Sequence, residues 1–204
     1  MGSGNKSCCA IALLVVALTG SMEPSAQAQQ TPTQSGATAE SWATQLAGLQ
    51  SPPDLDVPAL RQEAVARVKA KADGLPLKRP PIASQLLALP RLIVEIQFDE
   101  DTPIVRPESY RTLGRIADTL THRSLLSNKF LIVGHVAAIG RRDYNLTLSQ
   151  RRADAVRDIL VTTFKISPKR LQAIGLGEEQ LLDATHPAAA TNQRIQIATV
   201  AKMP

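Results

Sequence analysis

From Leu92 to Phe98, Leu92, Val94, Ile96 and Phe98 alternate with Ile93, Glu95 and Gln97, the period-two pattern of a strand with one strongly apolar face. Pro107 to about Thr121 then predicts a helix, with Pro107 and Glu108 suited to its first turn and Tyr110, Leu113, Ile116, Ala117 and Leu120 as its buried stripe. Phe130 to Val133 is a continuous apolar run closed by Gly134, the composition of a strand buried on both faces. A second helical stripe consists of Ala153, Val156, Ile159, Leu160 and Phe164. Leu148 and Ser149 are expected to open that helix, with the Ser149 hydroxyl as its cap. Ser167 to Arg170 reads as a short turn and Leu171 to Gly175 as a third strand. The last strand runs from Arg194 to Val200, where Ile195, Ile197 and Thr199 alternate with Arg194, Gln196 and Ala198.

The order β-α-β-α-β-β predicts an α/β (α+β) fold. Strand–helix–strand units close by right-handed crossovers, so the expected result is a two-layer sandwich, a small mixed sheet covered by helices on one face. Nearly all large apolar residues from 92 to 200 are used by this arrangement, which leaves little to line a catalytic pocket. The loop from His135 to Thr147 joins the buried strand to the capped helix, and such loops are where rigid α/β scaffolds carry binding sites.

Before position 92 the pattern is weaker. Lys6 precedes an apolar run from Cys9 to Leu18 and then small residues ending in Ala26-Gln27-Ala28, which reads as a secretory signal peptide over residues 1–28. The run is too short to span a bilayer comfortably, and Ser21 stands where a lipidated cysteine would be needed, so neither a membrane span in the mature chain nor a lipid anchor is expected. Residues 29–91 read as a flexible, partly helical tether. Gln29 to Gln50 is too polar to bury a core, a modest helix is expected from Pro58 to Ala72 between Asp56 and Gly74, and Ile82 to Leu89 forms a short helix stopped by Pro90. Residues 92–204 form the folded domain.

Charge and chemistry narrow the function. Cys8 and Cys9 both lie in the signal, so the mature chain has no disulfide or cysteine-bound metal. Losing Lys6 and Glu23 together leaves the net charge at +5, a basic protein among anionic envelope polymers. His122, His135 and His186 lack metal-ligand spacing. Gly175-x-Gly177 has no third glycine and opens no helix, so it is not a dinucleotide loop. The arginines at 141, 142, 151 and 152 could meet phosphates, but aromatics make up only 3% of an exported chain, which argues against nucleic acid. On the expected boundaries Arg151 and Arg152 oppose the helix dipole by about 0.3–1 kcal/mol each. They are either screened surface charges or groups held to meet an anion. Asp143 is the one acid in the loop. No catalytic residue, metal or cofactor is expected.

The stretch resembles the C-terminal domain of the OmpA family, shared with MotB and the peptidoglycan-associated lipoprotein, whose signature is Gly-His-Thr-Asp-x-x-Gly followed by Asn-x-x-Leu-Ser-x-x-Arg-Ala. Gly134, His135, Gly140, Asn145, Leu148, Ser149, Arg152 and Ala153 stand in register. The likeness runs from about Leu92 to Val200, with Gly175, Gly177 and Glu178, then Asn192, Arg194 and Ile195, similar to the family's later motifs. The resemblance implies a final strand antiparallel between the first two. It also implies a non-enzymatic, periplasmic protein, associated with the outer membrane, that binds the diaminopimelate stem peptide of peptidoglycan. Carried over to this chain, the binding residues are Arg152, Asn145, His135, Leu148, Ser149, Arg194 and the position of Ala137. Val136 and Ala137 stand where the family has Thr-Asp, and that Asp with the helix Arg clamps a zwitterion. Two readings therefore stand: a wall-binding module weakened by Ala137, or a structural protein that uses the scaffold to bind other envelope proteins.

Overall fold

The computed structural model describes residues 37–51, 53, 55–70 and 80–203; the expected signal peptide and the start of the tether lie outside them. Four strands, β1 (Arg91–Val94), β2 (Asn128–His135), β3 (Leu171–Gly177) and β4 (Arg194–Lys202), form one sheet in the order β1-β4-β2-β3. β4 lies antiparallel between β1 and β2, and β2 pairs parallel with β3. Two long helices fill the crossovers, α4 (Tyr110–Leu120) and α5 (Arg142–Thr162). This is the expected mixed α/β topology. β1 is shorter than its apolar alternation, because Gln97 donates to Ser109 Oγ at 2.7 Å and accepts from the Arg106 N–H at 2.9 Å, folding the chain back on itself after Val94. Phe98 then bridges to Val105 outside the sheet.

Alternation sorts the strand side chains into two cores. Phe130, Ile132, Ile195 and Ile197 pack with Leu113, Ile116 and Leu120 of α4 and Ala153, Val156 and Leu160 of α5. Tyr110, expected in the α4 stripe, is instead 43% exposed: it is the first residue after a tight turn at Pro107–Ser109, outside the face that meets the sheet.

Leu131, Val133, Ile174, Leu176, Ala198 and Val200 face the other way, and they too are covered. The cover comes from the segment read as a tether. Its helices α1 (Ala39–Leu46), α2 (Val57–Lys69) and α3 (Gln85–Ala88) are packed onto the domain. Leu60 and Ala64 of α2 and Leu86 of α3 close the second core, while Trp42, Ala43 and Leu46 of α1 join the first. The polarity of residues 29–50 hid this, because three apolar side chains at helical spacing suffice when the domain supplies the rest of the core. Thr38 and Asp56 cap α1 and α2 by accepting from the Ser41 and Ala59 N–H groups.

α5 lies almost on the sheet. A Cβ at Gly134 would overlap the Ser149 carbonyl oxygen, and one at Gly175 the Gln150 backbone nitrogen. This proximity protects the edge strand β3. Ser149 Oγ accepts from the Gly177 N–H and Gln150 Oε1 from the Gly175 N–H, each at 2.8 Å, and Arg61 of α2 donates to the Ala173 carbonyl at 2.8 Å.

Two stability measurements follow. Gly134→Ala should cost about 1–3 kcal/mol by overpacking, read as a lower denaturant midpoint at unchanged slope. A chain beginning at Leu89 loses α1, α2 and α3 and should unfold earlier than the full chain and bind a hydrophobic dye; an equal midpoint would mean that the segment packs without stabilising.

Candidate functional site

β2 ends at His135, opposite Arg194 at the start of β4. α5 begins seven positions further on, at Arg142, with Arg141 in the cap position and no side-chain cap; Asp143 in its first turn accepts from the Tyr144 N–H at 2.9 Å. The expected opening at Leu148 and Ser149 is thus two turns late, because residues 142–147 can extend the helix and do so. Ser149 is no cap: buried mid-helix, it donates to the Leu146 carbonyl and accepts from Gly177. Arg151 and Arg152 accordingly lie far from the positive end of the dipole, and its opposition does not apply to them.

Arg151 is exposed, whereas Arg152 is 7% exposed. Its Nε donates to the Thr102 carbonyl and its Nη1 to Gln193 Oε1, both at 3.0 Å, and its guanidinium carbon lies 4.8 Å from the Phe98 ring centroid. None of these partners is a carboxylate. Burial lowers the Arg152 pKa, and the nearby Asp101 opposes that shift. Arg152 lines a cavity of about 120 Å³ with His135 and Arg194, rimmed by Glu95, Gln97 and Gln193. Arg194 donates to the Gln180 carbonyl at 2.9 Å and more weakly to that of Asn192, while its Nε has no partner among the described residues. Desolvation first, and the charge of Arg91 second, push its pKa down to about 10. The cavity is therefore a partly dry site with two guanidinium groups, a setting that strengthens attraction for an anion.

His135 is 3% exposed and neither ring nitrogen has a partner of good geometry. Burial, then the Arg194 charge, hold its pKa well below the ordinary value, against a small opposing effect of the Gln180 backbone. Leu148 is buried one turn before Arg152. Asn145 is also buried, but it points elsewhere, donating to Glu178 Oε2 at 2.7 Å. Ala137 is 4% exposed and is not among the residues that line the cavity. The structure thus gathers His135, Arg152 and Arg194 at one cavity, while Leu148, Asn145, Ser149 and Ala137 do not line it. Of the remaining arginines, Arg141 pairs with Asp143 at the surface and Arg142 makes two bonds of 2.5 and 2.6 Å to buried Glu179.

A second, more open cleft of about 510 Å³ lies beside α5, lined by residues that include Asp101, Gly140, Tyr144, Asn145 and Arg151. The roles of Phe98, Asp101, Thr102 and Gln193 were absent from the sequence reading. Only Gln193, between two motif residues, carried a positional signal.

A β4 strand inserted between β1 and β2, with a cationic cavity where their ends meet, defines an OmpA-like α/β domain. The match to the OmpA family covers residues 97–194, the stretch over which the chain is similar to that family. Over 114 residues the chain is 33% identical to outer membrane porin F of Pseudomonas fluorescens, covering 55% of this chain and 34% of the porin. It is 30% identical over 109 residues to the peptidoglycan-associated lipoprotein of Pseudomonas aeruginosa, covering 52% and 62%. The chain therefore spans about a third of the porin and under two thirds of the lipoprotein. Among solved structures, the cell wall anchor of the T6SS from Pseudomonas aeruginosa is 29% identical with a TM-score of 0.43, covering 55% of this chain and 82% of that one. Among the described residues no helix is long and apolar enough to cross a membrane.

The buried His135 makes stability depend on pH with a definite sign. In the unfolded chain it takes its proton near the ordinary value of about 6.5, but in the folded chain only well below that. The unfolded state therefore binds more protons below pH 6.5, and the His135 contribution, full above it, is lost as pH falls towards the folded value. Thermal midpoints should drop from pH 7 to 5, and drop less in His135→Gln.

Proposed function

We propose that this chain is an exported envelope protein that associates non-covalently with peptidoglycan in the periplasm, at the outer-membrane side, as a binding protein and not an enzyme. The observation that carries the reading is Arg152. A largely buried guanidinium held only by a carbonyl, an amide oxygen and a ring face is a costly arrangement unless an anion completes it. A stem-peptide carboxylate fits that need, and Arg194 adds a second positive charge. Support also comes from relatives named peptidoglycan-associated lipoproteins and from the family signature around Gly134, His135 and Arg152. In this reading residues 1–28 are removed on export and residues 92–204 hold the wall site. The helices α1, α2 and α3 brace that domain from both sides of the sheet.

Ala137 favours the second reading, a scaffold that binds envelope proteins instead, because the family's acid at this position is gone.

Sedimentation with purified diaminopimelate-type sacculi separates the two. The protein recovered from the envelope fraction, starting near Gln29, should co-sediment, and free diaminopimelate should compete. Arg152→Ala should weaken binding by roughly ten- to a hundredfold, since a charge-assisted hydrogen bond is worth about 1.5–3 kcal/mol. Arg152→Lys should recover only part of that, because an ammonium lacks the guanidinium fork. A native chain that stays in the supernatant would overturn wall binding in favour of the scaffold reading.

A further inference from the structure

The end of the sheet opposite the cavity is basic. β2 begins there at Asn128, whose register partner is Lys202 at the end of β4, so Lys129 and Lys202 share that end. Buried Arg170 draws two short turns onto it. From the turn Pro168–Arg170 its guanidinium donates to the carbonyls of Asn128, Leu120 and Leu125 at 2.7–3.0 Å. Lys169 belongs to the same turn, and Arg123 to the turn Arg123–Leu125 that Arg170 holds. The Met203 N–H closes the pole by donating to the Ser127 carbonyl.

The charge there is one-sided. Residues 121–129, 163–172 and 200–203 contain no Asp or Glu. Two cations serve the fold: Lys165 Nζ donates to the Thr162 carbonyl at the end of α5, and Arg170 to that of Leu120 at the end of α4, which answers the negative ends of both helix dipoles. The side chains of Arg123, Lys129, Lys169 and Lys202 have no hydrogen bond or ion pair among the described residues, and all but half-buried Lys129 are exposed. At the margin Asp158 is paired with Arg157, which leaves exposed Asp118 of α4 and Glu40 of α1 against these cations. Among the basic side chains stands Leu126, 53% exposed.

We infer that this pole is a docking surface for an anionic lipid bilayer, with Leu126 entering the headgroup layer and Arg123, Lys129, Lys169 and Lys202 meeting lipid phosphates. Unpaired cations around an exposed apolar side chain are the chemistry of an interfacial contact, in which charge attracts the surface and the apolar group is buried in it. A soluble polyanion would use the cations and leave Leu126 in water. β2 has eight residues, which at about 3.3 Å each sets the pole roughly 25 Å from the cavity. A ligand in the cavity and a bilayer at the pole can therefore be held at once, and the inference does not depend on what the cavity binds.

The test is co-sedimentation of the full mature chain with phosphatidylcholine vesicles, with or without anionic phosphatidylglycerol. The native chain should bind only the anionic vesicles and be released at about 1 M salt, where charges are screened beyond about 3 Å. Arg123→Gln with Lys202→Gln should weaken partitioning about twenty- to thirtyfold. Arg106→Gln with Arg111→Gln, which removes the same net charge before and at the start of α4, should change it less than about twofold. Leu126→Ser should weaken it severalfold. All of these side chains are exposed, so unfolding midpoints should stay near the native one. No binding to anionic vesicles, or equal losses in the two double variants, would overturn the docking surface. Unchanged partitioning of Leu126→Ser, with equally tight capture by soluble polyphosphate, would overturn the bilayer as its partner.

Discussion

The fold turns on how closely α5 approaches the sheet. Helix and strand backbones meet at Gly134 and Gly175 with no space for a side chain between them, so two neighbouring positions on α5, Ser149 and Gln150, reach the outer edge of β3 and satisfy its N–H groups. The same contact fixes the rotation of α5. With Ser149 held over Gly134, Ala153 and Val156 point into the first core, and Arg152 is carried to the strand ends, where His135 and Arg194 meet it.

Buried cations show what that placement means. Arg170 is 7% exposed, but it donates to the carbonyls of Asn128, Leu120 and Leu125 and lies 5.4 Å from the Phe130 ring centroid, so it ties three chain segments together. Arg142 reaches the same end through a two-bond pair with Glu179. Like Arg170, Arg152 and Arg194 have neutral hydrogen-bond partners and no carboxylate among the described residues, but unlike it both border one cavity. A charge satisfied in this way keeps the fold intact while leaving electrostatic demand for an external anion.

The N-terminal segment changes the picture of the domain more than any other part. A sheet with one covered face would expose Leu131, Val133, Ile174 and Leu176. With α2 and α3 in place that face becomes a second core. Each such side chain contributes about 1.5–3 kcal/mol when removed from water, which makes α1, α2 and α3 part of the stability of the domain and not a spacer before it.

The period-two runs, the helical stripes and the glycines were legible in order, because each depends on local spacing and on which face an element must bury. Strand order followed once the family motifs around Gly134 and Arg152 were read. The start of α5 was misread, since Ser149 suits both a helix cap and a bond to a neighbouring strand, and only the nearness of Gly177 decides between them. The loop at Asp101 and Thr102 carried no signal at all: Tyr144 and Arg152, far along the chain, fasten its carbonyls. The sequence by itself determined the elements of the stretch from Leu92 onward, their order and the residue types at the sheet's end. Tertiary structure alone decided which arginine is buried and what covers the second face, because burial and pairing belong to contacts between segments distant in the chain and not to any one segment.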